Sequence, residues 1–173
     1  MLALIFGGSG SGKSAYAEDL AVRLSAAPRY YLATMVDCDG ECRQRIARHR
    51  QQRQDKGFFA IEQTVDLAQC SVPQESTVLL ECLSTWLTNE MYRPDASAVP
   101  KEKIWAELQQ LQRRCANLLV VSNDVFADGL LYDNETMTYL EGLGWLHQQL
   151  AREADLVVEV VVGLPVVQKG ELP

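Results

Sequence analysis

The segment with the clearest chemical meaning is a glycine-rich stretch near the amino terminus, Gly7-Gly8-Ser9-Gly10-Ser11-Gly12-Lys13-Ser14. It matches the pattern of a glycine, four residues, a glycine, a lysine and a serine or threonine. Backbone N–H groups of such a loop surround phosphate oxygens, Lys13 would reach the β- and γ-phosphates, and Ser14 would bind Mg²⁺. The pattern predicts a phosphate-binding loop, called the P-loop below, and therefore a bound nucleotide.

The flanking residues support this interpretation over a simple turn rich in glycine and serine. An apolar run, Leu2 to Phe6, precedes the stretch, and apolar residues at helical spacing follow it, among them Ala17, Leu20 and Leu24. A P-loop requires this order of strand, loop and helix.

A carboxylate in a position suited to the metal is Glu81, which ends the apolar run Thr77 to Leu80. It lies where a Walker-B carboxylate would lie and would hold Mg²⁺ directly or through water. The alternative is an exposed carboxylate at the end of a strand, with no role in the site.

A second candidate centre is a basic segment around His49, with Arg45 and Arg53 four residues away on either side. On a helix the three side chains share a face, and the guanidinium charges would lower the pKa of His49 and keep its imidazole neutral and nucleophilic. The same arginines would receive a pyrophosphate leaving group. Taken alone, these residues favour the simpler alternative, a solvated basic helix with an incidental histidine.

The rest of the chain reads as alternating strands and helices. Strands that are apolar throughout are typical of a parallel sheet covered on both faces, so we predict an α/β fold, a P-loop NTPase-like sandwich with a mainly parallel sheet flanked by helices. The carboxyl ends of the strands would bring Gly7, Thr34, Glu81 and Asn123 to one edge. The predicted strands after the first are Tyr30–Thr34, Thr77–Glu81, Leu118–Ser122 and Leu156–Val162, the last closed by Gly163 and Pro165; the predicted helices after the P-loop helix are Glu41–Arg53, Cys82–Met91, Lys101–Cys115 and Glu135–Ala154.

Length and composition narrow the class of protein further. The 173 residues, 47% hydrophobic and 23% charged, fit one globular domain spanning 1–173. A net charge of -7 argues against a nucleic-acid partner, and no apolar run approaches the roughly 20 residues of a membrane span. The start of the chain lacks the basic region of a signal peptide, so we expect a cytoplasmic protein with five reduced cysteines.

Several nucleotide chemistries are compatible with these features. The residues Asp37 to Gly40 match the DxxG string of regulatory GTPases, but no Asn-Lys-x-Asp follows to recognise guanine. A P-loop kinase for a small metabolite, and a nucleotide-binding module with reduced catalysis, both stay open.

Taken in order, the motifs resemble the family of bifunctional adenosylcobinamide kinase and adenosylcobinamide-phosphate guanylyltransferase. The resemblance covers nearly the whole chain. It rests on the P-loop, Leu32-Ala33-Thr34, Glu41 with Arg45-Ile46, His49 and Arg53, Leu80 to Leu83, Thr85 to Asn89, Ser122 to Val125, and Gly163, Pro165 and Lys169. The chain departs from the usual family pattern at Gly10, Phe126, Leu140 and His147; we interpret His147 as a packing or surface residue.

The resemblance implies an activity and a set of site residues. The enzyme would phosphorylate adenosylcobinamide with GTP or ATP and then transfer GMP from GTP to adenosylcobinamide phosphate through a guanylyl-histidine at His49. It also implies a homo-oligomer, a trimer of propeller shape. The candidate catalytic residues are His49 and Lys13, the Mg²⁺ ligands Ser14 and Glu81, and the nucleotide-binding residues the P-loop from Gly7 to Ser14 with Thr34, Arg45, Arg53, Glu62 and Glu81.

Overall fold

The computed structural model describes residues 1–24, 28–36, 55–94, 100–126, 129–130 and 132–173. The predicted helix Glu41–Arg53, and with it His49, lies outside these residues, as does the Asp37 to Gly40 string. The strands are β1 (Leu2–Gly7), β2 (Arg29–Ala33), β3 (Phe58–Glu62), β4 (Thr77–Glu81), β5 (Asn117–Asn123), β6 (Leu156–Val161) and β7 (Leu164–Lys169). The helices are α1 (Lys13–Leu24), α2 (Leu83–Met91), α3 (Lys101–Arg114) and α4 (Asn134–Glu153), with a single 3-10 turn at Leu67–Gln69.

The described strands form one seven-stranded sheet in the order β3-β2-β4-β5-β1-β6-β7. All neighbouring pairs are parallel except β6 and β7, which are antiparallel. The predicted fold class, a mainly parallel α/β sandwich with a P-loop, is therefore confirmed.

Helices cover both faces of the sheet, which explains why the middle residues of its central strands, such as residues 118–121 of β5, are apolar on both faces. Successive residues of β1 separate into two cores: Ile5 packs on the side of α1, and Leu4 packs on the side of α2, α3 and α4. On the second side Trp86 is fully buried and anchors α2 against the strands.

Two of the strands, β3 and β7, were not predicted from the sequence. Strand β3 is a short, largely exposed edge strand that lacks the continuous apolar run of a buried one. Strand β7 contains Pro165, which we expected to close the preceding strand; that expectation was wrong, because an edge strand tolerates a residue without an N–H donor. Strand β6 correspondingly ends at Val161, one residue earlier than predicted.

A cluster of ion pairs around one buried carboxylate, Glu90, joins the segment after β3 to α2 and α3. Glu90 on α2 is 1% exposed and accepts hydrogen bonds from the Asp66 N–H at 2.8 Å and from Lys103 Nζ at 2.7 Å. Lys103 also contacts Asp66 at 2.6 Å, and Arg93 contacts both carboxylates. Burial alone would raise the pKa of Glu90, but these hydrogen bonds outweigh it and hold the pKa below its usual value.

We expect Lys103→Met to lower the free energy of unfolding by about 1 to 3 kcal/mol, since Glu90 would keep its charge in a buried position with one cation fewer. Urea denaturation at pH 7 measures this change. The matched control is Lys101→Met on the same helix, whose exposed ion pair with Glu102 spans 3.9 Å and should cost less than about 1 kcal/mol. Equal losses in the two variants would contradict a special role for the cluster.

Candidate nucleotide-binding site

The P-loop connects β1 to α1, and its backbone requires glycine at two positions. A Cβ atom at Gly7 would lie 2.5 Å from the carbonyl oxygen of Val160 on the neighbouring strand β6. Gly12 has a φ of +90°, in the region that residues with a side chain rarely adopt. The loop therefore passes close to β6 and turns sharply just before α1 begins at Lys13.

Lys13 is held within the loop instead of extending into solvent. Its side chain is 8% exposed, and its Nζ atom donates a hydrogen bond to the carbonyl oxygen of Gly8 at 3.1 Å. A buried ammonium group close to a phosphate loop supplies the positive charge that a triphosphate requires.

Ser14 and Glu81 meet across the sheet, although 67 residues separate them. The Ser14 hydroxyl donates to Glu81 Oε1 at 2.7 Å, which joins the first turn of α1 to the carboxyl end of β4. A hydroxyl and a carboxylate beside a phosphate loop are the kind of oxygen ligands that Mg²⁺ takes together with substrate phosphates. The residues present therefore fit the ion.

Thr34 is fully buried, and its hydroxyl contacts the backbone that follows β4. The hydroxyl accepts a hydrogen bond from the Cys82 N–H at 2.8 Å and lies 2.9 Å from the Cys82 carbonyl oxygen. The Asn89 side chain donates to the Thr34 carbonyl oxygen at 2.7 Å. The structure thus places Thr34 where it orients the backbone next to Glu81.

Asn123 lies at this edge, as the sequence predicted, and Ser84, which contacts it, was not among the candidate site residues. Asn123 ends β5 directly beside Gly7, and its side chain donates to Ser84 Oγ at 2.8 Å. The Ser84 hydroxyl also lies 3.1 Å from the Cys82 sulfur. Ser84 and Cys82 follow β4 within three residues of Glu81, and that position after a buried strand was the signal available in the sequence.

Of the other predicted site residues, the structure describes Glu62 only. Glu62 ends β3 and pairs in register with Ala33, whose neighbour on the other side is Glu81, so Glu62 lies at the same edge two strands away. Arg45, Arg53 and His49 lie outside the described residues, and their roles stay predictions.

His147, on α4, is a packing residue of the same end of the sheet. Its Nε2 atom lies 2.7 Å from Ser122 Oγ, and its ring contacts those of Phe6 and Phe126 at centroid distances of 6.1 and 5.5 Å. Burial lowers the pKa of His147 to about 4, with a smaller opposing effect of the Asp124 carboxylate.

A cavity of about 570 Å³ opens beyond β5, between the segment after that strand and α4. Apolar side chains dominate its wall, among them Phe126, Leu140 and Trp145, and Lys101 lies over the Trp145 ring at 5.5 Å. Val125 lines the cavity and directly follows Asp124, whose N–H donates to the Gly7 carbonyl oxygen of the P-loop at 2.9 Å.

The fold and the loop define a P-loop nucleotide-binding protein of the α/β class. The chain belongs to the family described as cobinamide kinase / cobinamide phosphate guanyltransferase, whose model matches residues 3–168. This is a family of enzymes.

Individual relatives agree with the family assignment. The chain is 34% identical to the bifunctional adenosylcobalamin biosynthesis protein CobP of Pseudomonas aeruginosa over 97% of each chain. It is 31% identical to CobU of Escherichia coli, over 96% of this chain and 98% of that protein.

Among solved structures, the flagellar accessory protein FlaH of Methanocaldococcus jannaschii is similar with a TM-score of 0.49 and 11% identity, over 98% of this chain and 78% of FlaH. The ATPase domain of G40P has a TM-score of 0.45 and 9% identity, over 91% of this chain and 68% of that domain. None of the helices in the described parts of the chain is long and apolar enough to cross a membrane.

The lowered pKa of His147 predicts a pH-dependent stability. The pKa of His147 is about 4 in the folded protein and about 6.5 in the unfolded chain, so between these pH values the unfolded chain binds more protons. The burial of His147 therefore leaves the free energy of unfolding unchanged above pH 6.5 and lowers it progressively as the pH falls toward 4. We expect the free energy of unfolding of the wild type to fall more steeply in this window than that of His147→Gln, by up to about 1.4 kcal/mol per pH unit. Urea titrations from pH 4.5 to 7.5 measure both slopes, and parallel slopes would contradict the assignment.

Proposed function

We propose that this chain catalyses two successive transfers at one nucleotide site. It phosphorylates adenosylcobinamide and then transfers GMP from GTP to adenosylcobinamide phosphate, with His49 as the covalent acceptor of GMP. The observation that carries the proposal is the family match over residues 3–168. The placement of Lys13 in the P-loop and the contact between Ser14 and Glu81 support it, because these groups suit a phosphate and a metal ion.

In the kinase step a hydroxyl of adenosylcobinamide attacks the γ-phosphorus of GTP or ATP, the bond from the γ-phosphorus to the bridging oxygen breaks, and the nucleoside diphosphate leaves. Catalysis of this step is mainly positioning and neutralisation of charge. Lys13 would neutralise the β- and γ-phosphates, and Ser14 with Glu81 would hold Mg²⁺, which supplies further positive charge to the phosphate oxygens.

In the guanylyl step the neutral imidazole of His49 attacks the α-phosphorus of GTP, and pyrophosphate leaves with the electron pair of the broken bond. A phosphate oxygen of adenosylcobinamide phosphate then attacks the same phosphorus, the P–N bond breaks, and the imidazole is regenerated. One difficult displacement becomes two easier ones. We propose Arg45 and Arg53 as contacts for the pyrophosphate.

We place part of the corrinoid acceptor in the cavity beyond β5. Its apolar wall favours an acceptor with a large hydrocarbon surface, and one of its residues, Val125, follows Asp124, which is hydrogen-bonded to Gly7 of the P-loop. Phe126 and Leu140, two of the positions at which the chain departs from the usual family pattern, both line it.

We further propose that the enzyme is cytoplasmic and works as a homo-oligomer, a trimer by resemblance to its family. Strand β7 supports an assembly, because it is an exposed edge of the sheet that carries apolar side chains, including Leu164 and Val166. An exposed apolar edge is the kind of surface that another chain covers.

Glu81→Gln should raise the Mg²⁺ concentration needed for half-maximal kinase turnover by about tenfold, because the amide loses the negative charge that attracts the ion while it keeps the shape of the side chain. Titration of activity with Mg²⁺ at fixed GTP measures the shift. Glu153→Gln, at an exposed carboxylate at the end of α4, is the control and should leave the Mg²⁺ titration unchanged. Superimposable curves for wild type and Glu81→Gln would make Glu81 a structural residue.

The experiment that tests the proposed function is covalent labelling. With α-labelled GTP and Mg²⁺ the wild type should retain label after denaturation, and the bond should be labile to acid and stable to alkali, as a phosphoramidate is. His49→Ala should abolish the label and largely preserve phosphorylation of adenosylcobinamide, since that step uses a hydroxyl of the substrate as its nucleophile.

His147→Ala controls for general damage and should still be labelled. Label from γ-labelled but not α-labelled GTP would identify a phosphoenzyme and overturn the guanylyltransferase step. Tight GTP binding without label or turnover would instead identify a nucleotide-binding module, and phosphorylation without label a simple kinase.

A further inference from the structure

The turn that joins β6 to β7 has an unusual residue at its tip. It consists of Val162 and Gly163, with φ angles of +45° and +84°, between the paired residues Val161 and Leu164. Two-residue hairpin turns with positive φ at both positions match the twist of the strands, and they favour Asn or Asp followed by Gly. A branched valine is strained in this conformation.

Nothing in the described part of the chain compensates the strain by burying the valine, because Val162 is 85% exposed. Leaving a valine in the left-handed region and in solvent combines two unfavourable features. Strained backbone that persists in this way is concentrated at sites that bind or react.

The turn lies directly against the P-loop. The Gly163 N–H donates to the carbonyl oxygen of Ser11 at 2.8 Å, and a Cβ atom at Gly12 would lie 3.3 Å from Gly163 Cα. The backbone of the turn therefore holds the second half of the loop, next to the start of α1.

The sheet order indicates which part of a nucleotide the turn would face. The proposed metal ligand Glu81 ends β4, which is separated from β1 by β5, whereas β6 adjoins β1 on the opposite side. The γ-phosphate lies toward Mg²⁺, so a nucleotide whose phosphates fill the loop directs its nucleoside away from Glu81. That direction leads to the β6 side of the loop.

We propose that the turn is part of the nucleotide site, with Gly163 positioning the P-loop and Val162 providing an apolar contact for the nucleoside of bound GTP or ATP. This inference rests on the proposed function in requiring that the P-loop binds a nucleoside triphosphate and that Glu81 lies on the Mg²⁺ side of its phosphates. Contact with the flat, weakly polar face of a base or with the ribose would shield the valine from water when the nucleotide binds.

The test is Val162→Asn, which should change stability and binding in opposite directions. Asparagine tolerates the left-handed region, so the Tm of the nucleotide-free protein should rise by about 2 to 4 °C. The loss of the apolar contact should weaken binding of GTP with Mg²⁺, measured by calorimetry, by about threefold to tenfold.

Two further variants separate the causes. Val162→Thr keeps the branched shape and the strain but replaces one methyl group with a hydroxyl, so its Tm should match the wild type while its Kd for GTP rises about twofold to threefold. Val167→Asn, an equivalent change on β7 away from the turn, should leave the Kd unchanged.

An increased Tm of Val162→Asn with an unchanged Kd would overturn the inference, as would an altered oligomeric state with an unchanged Kd, which would assign the valine to a contact with a second copy. In both cases the wild type would still bind GTP, and the proposed function would stand. Absence of GTP binding by the wild type would overturn the proposed function and this inference together.

Discussion

The parallel pairing of β4, β5, β1 and β6 is the constraint on which the rest of the structure depends. Parallel strands all end at the same edge, so Gly7, Asn123 and Glu81 are brought together from distant parts of the chain without any local signal between them. Burial of both faces under helices makes this arrangement stable, because a parallel sheet cannot leave one face in water as an antiparallel sheet does.

From that edge a chain of short polar contacts leads into the site. Asn89 holds the Thr34 carbonyl oxygen, Thr34 holds the backbone at Cys82, and the adjacent Glu81 accepts the Ser14 hydroxyl. Each of these groups is buried or half-buried, so its hydrogen bond replaces the contact with water that it lost on folding. A side chain that binds metal and phosphate is positioned accurately when its neighbours are held in this way.

The loop itself depends on contacts from the side of β6. Val160 lies so close to Gly7 that no side chain fits there, and Gly163 binds the loop backbone at Ser11. Strand β6 and the turn that joins it to β7 therefore contact the P-loop and restrict its conformation, in addition to extending the sheet. The ion-pair cluster around Glu90 lies toward the β3 side of the sheet, where it joins the segment after β3 to α2 and α3.

The sequence by itself determined the P-loop, the central strands and most helices, because these features have local signatures: a spaced glycine and lysine pattern, apolar runs and helical periodicity. It did not reveal β3 and β7, whose exposed edge positions impose no regular pattern, and Pro165 pointed the wrong way because the effect of a proline depends on whether its N–H would be needed. Only the tertiary structure decided that Ser84 and Asn123 meet beside the loop, and that His147 packs against Ser122 and the rings of Phe6 and Phe126. It also decided that the turn of Val162 and Gly163 lies against the P-loop. These contacts join residues that are far apart in the chain, and local sequence patterns do not indicate which distant segments will be neighbours in the fold.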